Sequence, residues 1–117
     1  MLFDFKKFSN IVTCIYQDEE YSLSDALSVF KYYFVKFEDC KGYAHPAIKS
    51  DQIISIIRKM PYFCEEDMQT GCAYLVPESY FAMIDQHFQT KYRQCDYNIN
   101  HFFSGKIREL RYYETCY

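Results

Sequence analysis

Glycine and proline are scarce in this chain, with three of each among 117 residues, and tryptophan is absent. Few turn residues leave little material for the tight connections of an all-β fold, and they favour a small number of long elements. No apolar run approaches the roughly 20 residues needed to cross a bilayer, so no transmembrane segment is expected. The length suits one domain with a core of its own, and we predict a single domain over residues 1–117.

The six cysteines and three histidines lack the local pairing of a metal site. Structural zinc sites draw two ligands from one turn, as Cys-x2–4-Cys or His-x3–5-His, because paired ligands lower the entropic cost of assembling the tetrahedron. The closest cysteines, Cys64 and Cys72, are eight residues apart. The spacing therefore predicts no metal and no other cofactor.

A complete set of catalytic residues is also missing. The three glycines are isolated, which argues against a phosphate-binding loop. Parts of a nucleophilic site exist, because an aspartate follows Cys95 and His101 lies three residues before Ser104, but nothing in the pattern supplies a cleft or an oxyanion hole. Asp85 and His87 would point to different faces of a helix. We predict that the protein is not an enzyme and that its histidines lie at the surface or at the core boundary.

The first sixteen residues lack the continuous apolar region of a secretion signal, since Asp4, Lys6 and Lys7 interrupt it. An even number of cysteines would suggest disulfide bonds in a secreted protein. Without a secretion signal, we expect a cytoplasmic protein whose thiols are reduced and mostly packed as small apolar groups.

Apolar residues at helical spacing predict a mainly α fold of five or six helices. Residues 62–76 are the least regular stretch and leave room for one short extended segment or small hairpin near Cys72–Val76. Helix caps and breakers set the other bounds. The predicted helices follow Asp4, run from Ser22 to the stop at Gly42, run from Ser50 to Pro61, begin at Pro77, and extend from Asn98 to Glu114.

The last of these elements has two readings. Its apolar period continues through Ser104 and Gly105. Either one helix tolerates a glycine at about 1 kcal/mol relative to alanine, or a short helix ends there and a second helix is capped by Ser104. The apolar stripe consists of Ile99, Phe102, Phe103, Ile107, Leu110 and Tyr113.

Charge is unevenly spread along the chain. The net charge is −3, whereas residues 89–111 hold five basic against two acidic residues, a local +3 that leaves −6 for the remainder. Lys106, Arg108 and Arg111 lie off the apolar stripe, so we expect them to project into solvent.

Two binding functions fit this segment. Thirteen tyrosines exceed what a core of this size hides with satisfied hydroxyls, and exposed tyrosine with arginine is typical of protein interfaces, although a tyrosine-rich core is an equal reading. The first function is contact with a protein partner or with a second copy of the chain, without a small-molecule substrate or a membrane. The alternative is a nucleic-acid-binding regulator that uses the basic C-terminal helix. The predicted binding residues are Tyr92, Arg93, Tyr97, Lys106, Arg108, Arg111, Tyr112 and Tyr113.

The run from Tyr92 to Glu114, YRQCDYNINHFFSGKIRELRYYE, resembles the C-terminal region of short uncharacterised proteins of Firmicutes mobile elements, both integrative and conjugative elements and phage-like regions. His45-Pro46, Met60-Pro61 and Met83-Ile84-Asp85 are similar to other parts of that group, which has no established activity. The resemblance implies a small cytoplasmic accessory regulator, or an inhibitor of a host system comparable to anti-CRISPR proteins.

Overall fold

The structure is a computed structural model that describes residues 23–71, 75–91 and 95–116. The predicted helix after Asp4 and the predicted cap at Ser22 lie outside these residues. The described part is mainly helical, as predicted, and holds six helices without a strand. They are α1 (Leu23–Lys41), α2 (Ser50–Lys59), α3 (Glu65–Thr70), α4 (Pro77–Gln89), α5 (Ile99–Phe102) and α6 (Gly105–Thr115).

Helix α1 follows its apolar pattern. Its residues at steps of three and four are buried, because that spacing places them on one side of the helix. The buried set is Ala26, Val29, Phe30, Tyr33, Phe34 and Phe37. The helix ends where predicted, since Gly42 has a left-handed φ of 81° and its N–H donates to the carbonyl of Glu38 over 2.8 Å.

Helix α4 lies between α1 and α6 and packs against both. Pro77 opens it, as predicted, because the first position of a helix needs neither an N–H partner nor a free φ. Tyr80, Met83, Ile84 and His87 form its buried side. Helix α6 therefore packs its buried side largely against α4.

The connection between α2 and α4 differs from the prediction. Helix α2 ends at Lys59, ahead of Pro61, but the acidic residues after it form the one-and-a-half-turn helix α3. Helix α3 ends at Gly71, whose φ is 69°, and none of its residues is buried. Leu75 follows as an irregular residue whose N–H donates to the carbonyl of Pro61 over 2.8 Å, and the rest of the suggested extended segment, 72–74, lies outside the described residues.

Candidate functional site

The two arginines expected to project into solvent are buried. Arg108 is 0 % exposed and Arg111 is 2 % exposed. The prediction that they face outward is therefore wrong, and neither can reach a ligand in this conformation. Tyr92 and Arg93 lie outside the described residues.

Arg108 closes the end of helix α2. Its Nη1 donates to the carbonyl of Lys59 over 2.7 Å. The last carbonyls of a helix lack partners within it and carry its negative dipole end, so a cation is stabilised there. Among the residues the structure describes, no carboxylate pairs with Arg108, and its Nε and Nη2 have no hydrogen-bond partner.

Arg111 is held by α4 and by its own helix. Its Nη1 donates to the hydroxyl of Thr90 over 2.6 Å and lies 2.8 Å from a carboxylate oxygen of Glu114. Thr90 is the residue at which α4 ends. The guanidinium thus ties α6 to the end of α4.

An interruption of the helical conformation between α5 and α6 explains why the two arginines point inward. Helix α5 stops at Phe102 and α6 begins at Gly105, with Ser104 in an extended conformation between them. The second of the two interpretations, a short helix followed by another helix, is confirmed, although the Ser104 side chain makes no capping hydrogen bond. The angular phase of Ile99 and Phe103 therefore does not continue into α6, whose inner side carries Arg108 and Arg111.

The opposite side of α6 is open. Lys106, Leu110 and Tyr113 are exposed, and their spacing of four and three places them on one side of the helix. We call these three residues the α6 outer face. Leu110 and Tyr113 are each 46 % exposed, although both belong to the predicted inward stripe. Folding therefore leaves much of the apolar area of Leu110 and Tyr113 exposed to solvent.

Tyr112 lies beside this face but is partly buried. Its ring stacks on Phe63, with centroids 4.4 Å apart and planes at 13°. Phe63 also meets Tyr113 edge to face at 5.9 Å. Offset stacking and edge-to-face contact are the favoured geometries of aromatic pairs. Tyr112 is thereby packed on Phe63 at the edge of the α6 outer face.

A shallow groove runs from the outer face towards α3. It is lined by Cys64, Glu65, Glu66, Lys106 and Glu109. Three carboxylates against one ammonium give it an acidic character. Burial, the largest cause, raises the pKa of the Cys64 thiol, which donates to the carboxylate of Asp67 over 3.1 Å. Near the outer face, the surface is acidic rather than basic.

Tyr97 holds the chain between α4 and α5. It has a left-handed φ of 58°, and its carbonyl accepts a hydrogen bond from the hydroxyl of Tyr33 over 2.6 Å. Its own hydroxyl donates to the carbonyl of Thr90. Its ring stacks on Phe88 and lies 4.4 Å below the ammonium of Lys41. These contacts give this predicted binding residue a structural task.

Two histidines occupy the core, contrary to the prediction that all lie at the surface or boundary. His87 is fully buried, and burial, together with the positive charges of His101 and Arg111, lowers its pKa to about 3. His45 is also buried, which lowers its pKa, and its Nε2 accepts the N–H of Ile99 over 2.9 Å. Both imidazoles are therefore neutral at pH 7.

His101 lies next to Cys95, a pairing that the sequence did not reveal. Its Nδ1 is 3.1 Å from the Cys95 sulfur, and the N–H of Tyr97 donates to the same sulfur over 3.2 Å. Both side chains are partly buried. The two lie six positions apart in sequence, and the chain between them turns through the left-handed φ of Tyr97. A positive φ at a tyrosine leaves no signal in sequence patterns.

Within residues 23–71, 75–91 and 95–116, no group of three or more His, Cys, Asp or Glu side chains is placed to hold a metal ion. Over the same ranges, no helix combines the length and apolar content that crossing a bilayer requires.

No family model, no curated protein and no solved structure matches the chain. A proposed function must therefore rest on the chain's own residues.

Proposed function

We propose that the chain is a non-enzymatic binding protein that makes a stoichiometric contact with a protein partner through the α6 outer face. The observation that carries the proposal is the joint exposure of Leu110 and Tyr113, each at 46 %, one helical turn apart. Tyrosine brings a large contact area with little side-chain entropy to lose, and it is enriched among the residues that dominate binding energy.

The surroundings of this face define the chemistry of the partner. Glu109 flanks the face on one side and Glu114 on the other, and Glu65 and Glu66 line the adjoining groove. Complementary charges speed association and exclude wrong partners. The partner that fits presents an apolar pocket for Leu110 and Tyr113 with basic residues around it.

The same charges weigh against the nucleic-acid alternative. Of the five basic residues in 89–111, Arg108 and Arg111 are buried and make contacts inside the protein. The cation that remains on the outer face, Lys106, stands beside carboxylates. Affinity for nucleic acid depends mainly on neutralised phosphates, and the α6 outer face offers one ammonium among carboxylates for that purpose.

The setting implied by the sequence resemblance, an accessory regulator or an inhibitor encoded on a mobile element and acting in the bacterial cytoplasm, is compatible with stoichiometric binding. In that setting, the chain would occupy a surface of a host protein. Its acidic groove would favour a target surface that is itself basic, as the surfaces of nucleic-acid-handling proteins are.

The test is recovery of a partner from a bacterial lysate on the immobilised full chain, treated with nuclease and washed at high salt. The double variant Leu110→Asp, Tyr113→Ala should lose the partner while it keeps a cooperative thermal unfolding transition, with a midpoint lowered only by the loss of the Tyr113–Phe63 ring contact. The matched control is Val35→Asp, Tyr43→Ala, which alters two residues with comparable exposure elsewhere. A partner retained by the first variant, or released by nuclease alone, would contradict the proposal.

A further inference from the structure

Among the cysteines that the structure describes, Cys95 is the one whose thiol contacts an imidazole. Cys40 is exposed on α1, Cys64 faces the carboxylate of Asp67, and Cys116 donates to the carbonyl of Ser79. In contrast, the Cys95 sulfur lies 3.1 Å from Nδ1 of His101, at hydrogen-bond distance for sulfur. A nucleophile within reach of a base is the minimal arrangement for an activated thiol.

The surrounding loop holds this pair in place. The carboxylate of Asp96 accepts the N–H of Asn98 over 3.0 Å, and the side chain of Asn98 accepts the N–H of Asn100 over 2.9 Å at the start of α5. These bonds fix the turn that carries His101 back to Cys95. The second partner of the sulfur is the N–H of Tyr97, 3.2 Å away, which points a positive dipole at any charge that the sulfur develops.

We propose that Cys95 is a site of thiol–disulfide exchange with low-molecular-weight disulfides and that His101 is its base. The imidazole takes the proton of the thiol, and the Cys95 sulfur attacks one sulfur of the disulfide. A mixed disulfide bond forms as the original sulfur–sulfur bond breaks. The leaving thiolate takes the proton back from His101, so that Cys95 is oxidised and the leaving sulfur is reduced to a thiol.

Reaction rate separates this site from an ordinary thiol. An unactivated thiol is only a few per cent thiolate at neutral pH, and exchange proceeds through the thiolate. Cys40 provides the reference inside the same molecule, since it is more exposed than Cys95. If access alone governed the rate, Cys40 would react first.

The experiment treats the reduced full chain with 2,2′-dithiodipyridine at pH 7 and follows each cysteine by peptide mass spectrometry. We expect Cys95 to react about tenfold faster than Cys40, because His101 lies within reach to take the thiol proton as the Cys95 sulfur attacks. His101→Gln, which removes the base, should bring the Cys95 rate to that of Cys40 or below. The Cys40 rate should stay unchanged in this variant, and an unchanged thermal midpoint reports that the fold is intact.

Two outcomes would overturn the proposal. One is a Cys95 rate at or below that of Cys40 in the unchanged chain, a comparison that requires no variant to fold. The other is a His101→Gln variant, folded by its thermal midpoint, that retains the fast reaction at Cys95. The result is independent of partner binding, because neither Cys95 nor His101 belongs to the α6 outer face.

Discussion

The guanidinium of Arg108 donates to the main-chain carbonyl of Lys59 over 2.7 Å, so that the first turns of α6 close the end of α2. Arg108 is also near Tyr80, where burial raises the pKa of the phenol and the charge of Arg108 partly opposes the rise. A buried cation is thus met by a helix end and a hydroxyl instead of a carboxylate. Removing the Arg108 side chain would measure how much this arrangement contributes to the free energy of unfolding.

Replacing Arg108 by alanine should lower the free energy of unfolding by about 2–4 kcal/mol, because it removes a charged hydrogen bond and leaves a cavity. Arg108→Met fills much of the same volume without the charge and should cost less, since a buried charge carries a desolvation penalty of its own. Urea unfolding measures both. Lys106→Ala, on the outer face of the same helix, is the control and should stay within about 0.5 kcal/mol. An equally small loss for Arg108→Ala would return this residue to the list of candidate contact residues.

The fate of these arginines shows where sequence patterns end. Arginine is seldom fully buried unless it finds partners. Apart from Glu114, which pairs with Arg111 three residues along α6, the partners of Arg108 and Arg111 lie 49 and 21 residues away in the chain, at the ends of two other helices. Local spacing contains no record of such contacts. The exposure of Leu110 was missed for the related reason that the break after Phe103 resets the helical phase.

The course and the end of helix α1, by contrast, could be predicted, whereas its predicted cap at Ser22 lies outside the described residues. Its inward side repeats every three to four residues, and Gly42 marks its end by chemistry that belongs to that residue alone. The mainly helical class and the starts and stops set by Pro61 and Pro77 follow from equally local causes. The pairing of Cys95 with His101 involves the left-handed φ of Tyr97, which no local rule anticipates.

Gly42 offers a direct test of that local chemistry. Gly42→Ala should lower the free energy of unfolding by about 1 kcal/mol, because φ of 81° is strained for a residue with a Cβ. A Cβ at this position would meet no atom within 4 Å, so steric conflict with neighbours does not contribute. Gly42→Asn should cost less, since asparagine tolerates this conformation. Equal losses for both variants in urea unfolding would contradict a conformational origin.

Tyr32 should titrate late because of Asp85. The phenol donates to the Asp85 carboxylate over 2.7 Å, and this hydrogen bond, burial and the nearby negative charge raise the pKa of Tyr32 to about 12. The difference between the 295 nm titrations of the unchanged chain and Tyr32→Phe isolates this group. Asp85→Ala should move the Tyr32 step down towards pH 10. The control Asp39→Ala, which lies on α1 with Tyr32, should leave this step unchanged. A Tyr32 step that stays near pH 12 without Asp85 would be inconsistent with the contact.

His87 should make the protein sensitive to mild acid. Its pKa is lowered to about 3 in the folded state, while in the unfolded chain a histidine takes up its proton near pH 6.5. Below pH 6.5 the unfolded state therefore binds the extra proton, and stability falls with decreasing pH until the folded pKa is reached, by up to about 1.4 kcal/mol per pH unit. Buried His45 adds to the loss in the same direction. Urea unfolding between pH 7.5 and pH 5 measures the slope above the range in which exposed carboxylates titrate. His87→Leu should flatten it and leave the part due to His45, and an unchanged slope in that variant would remove His87 as its source.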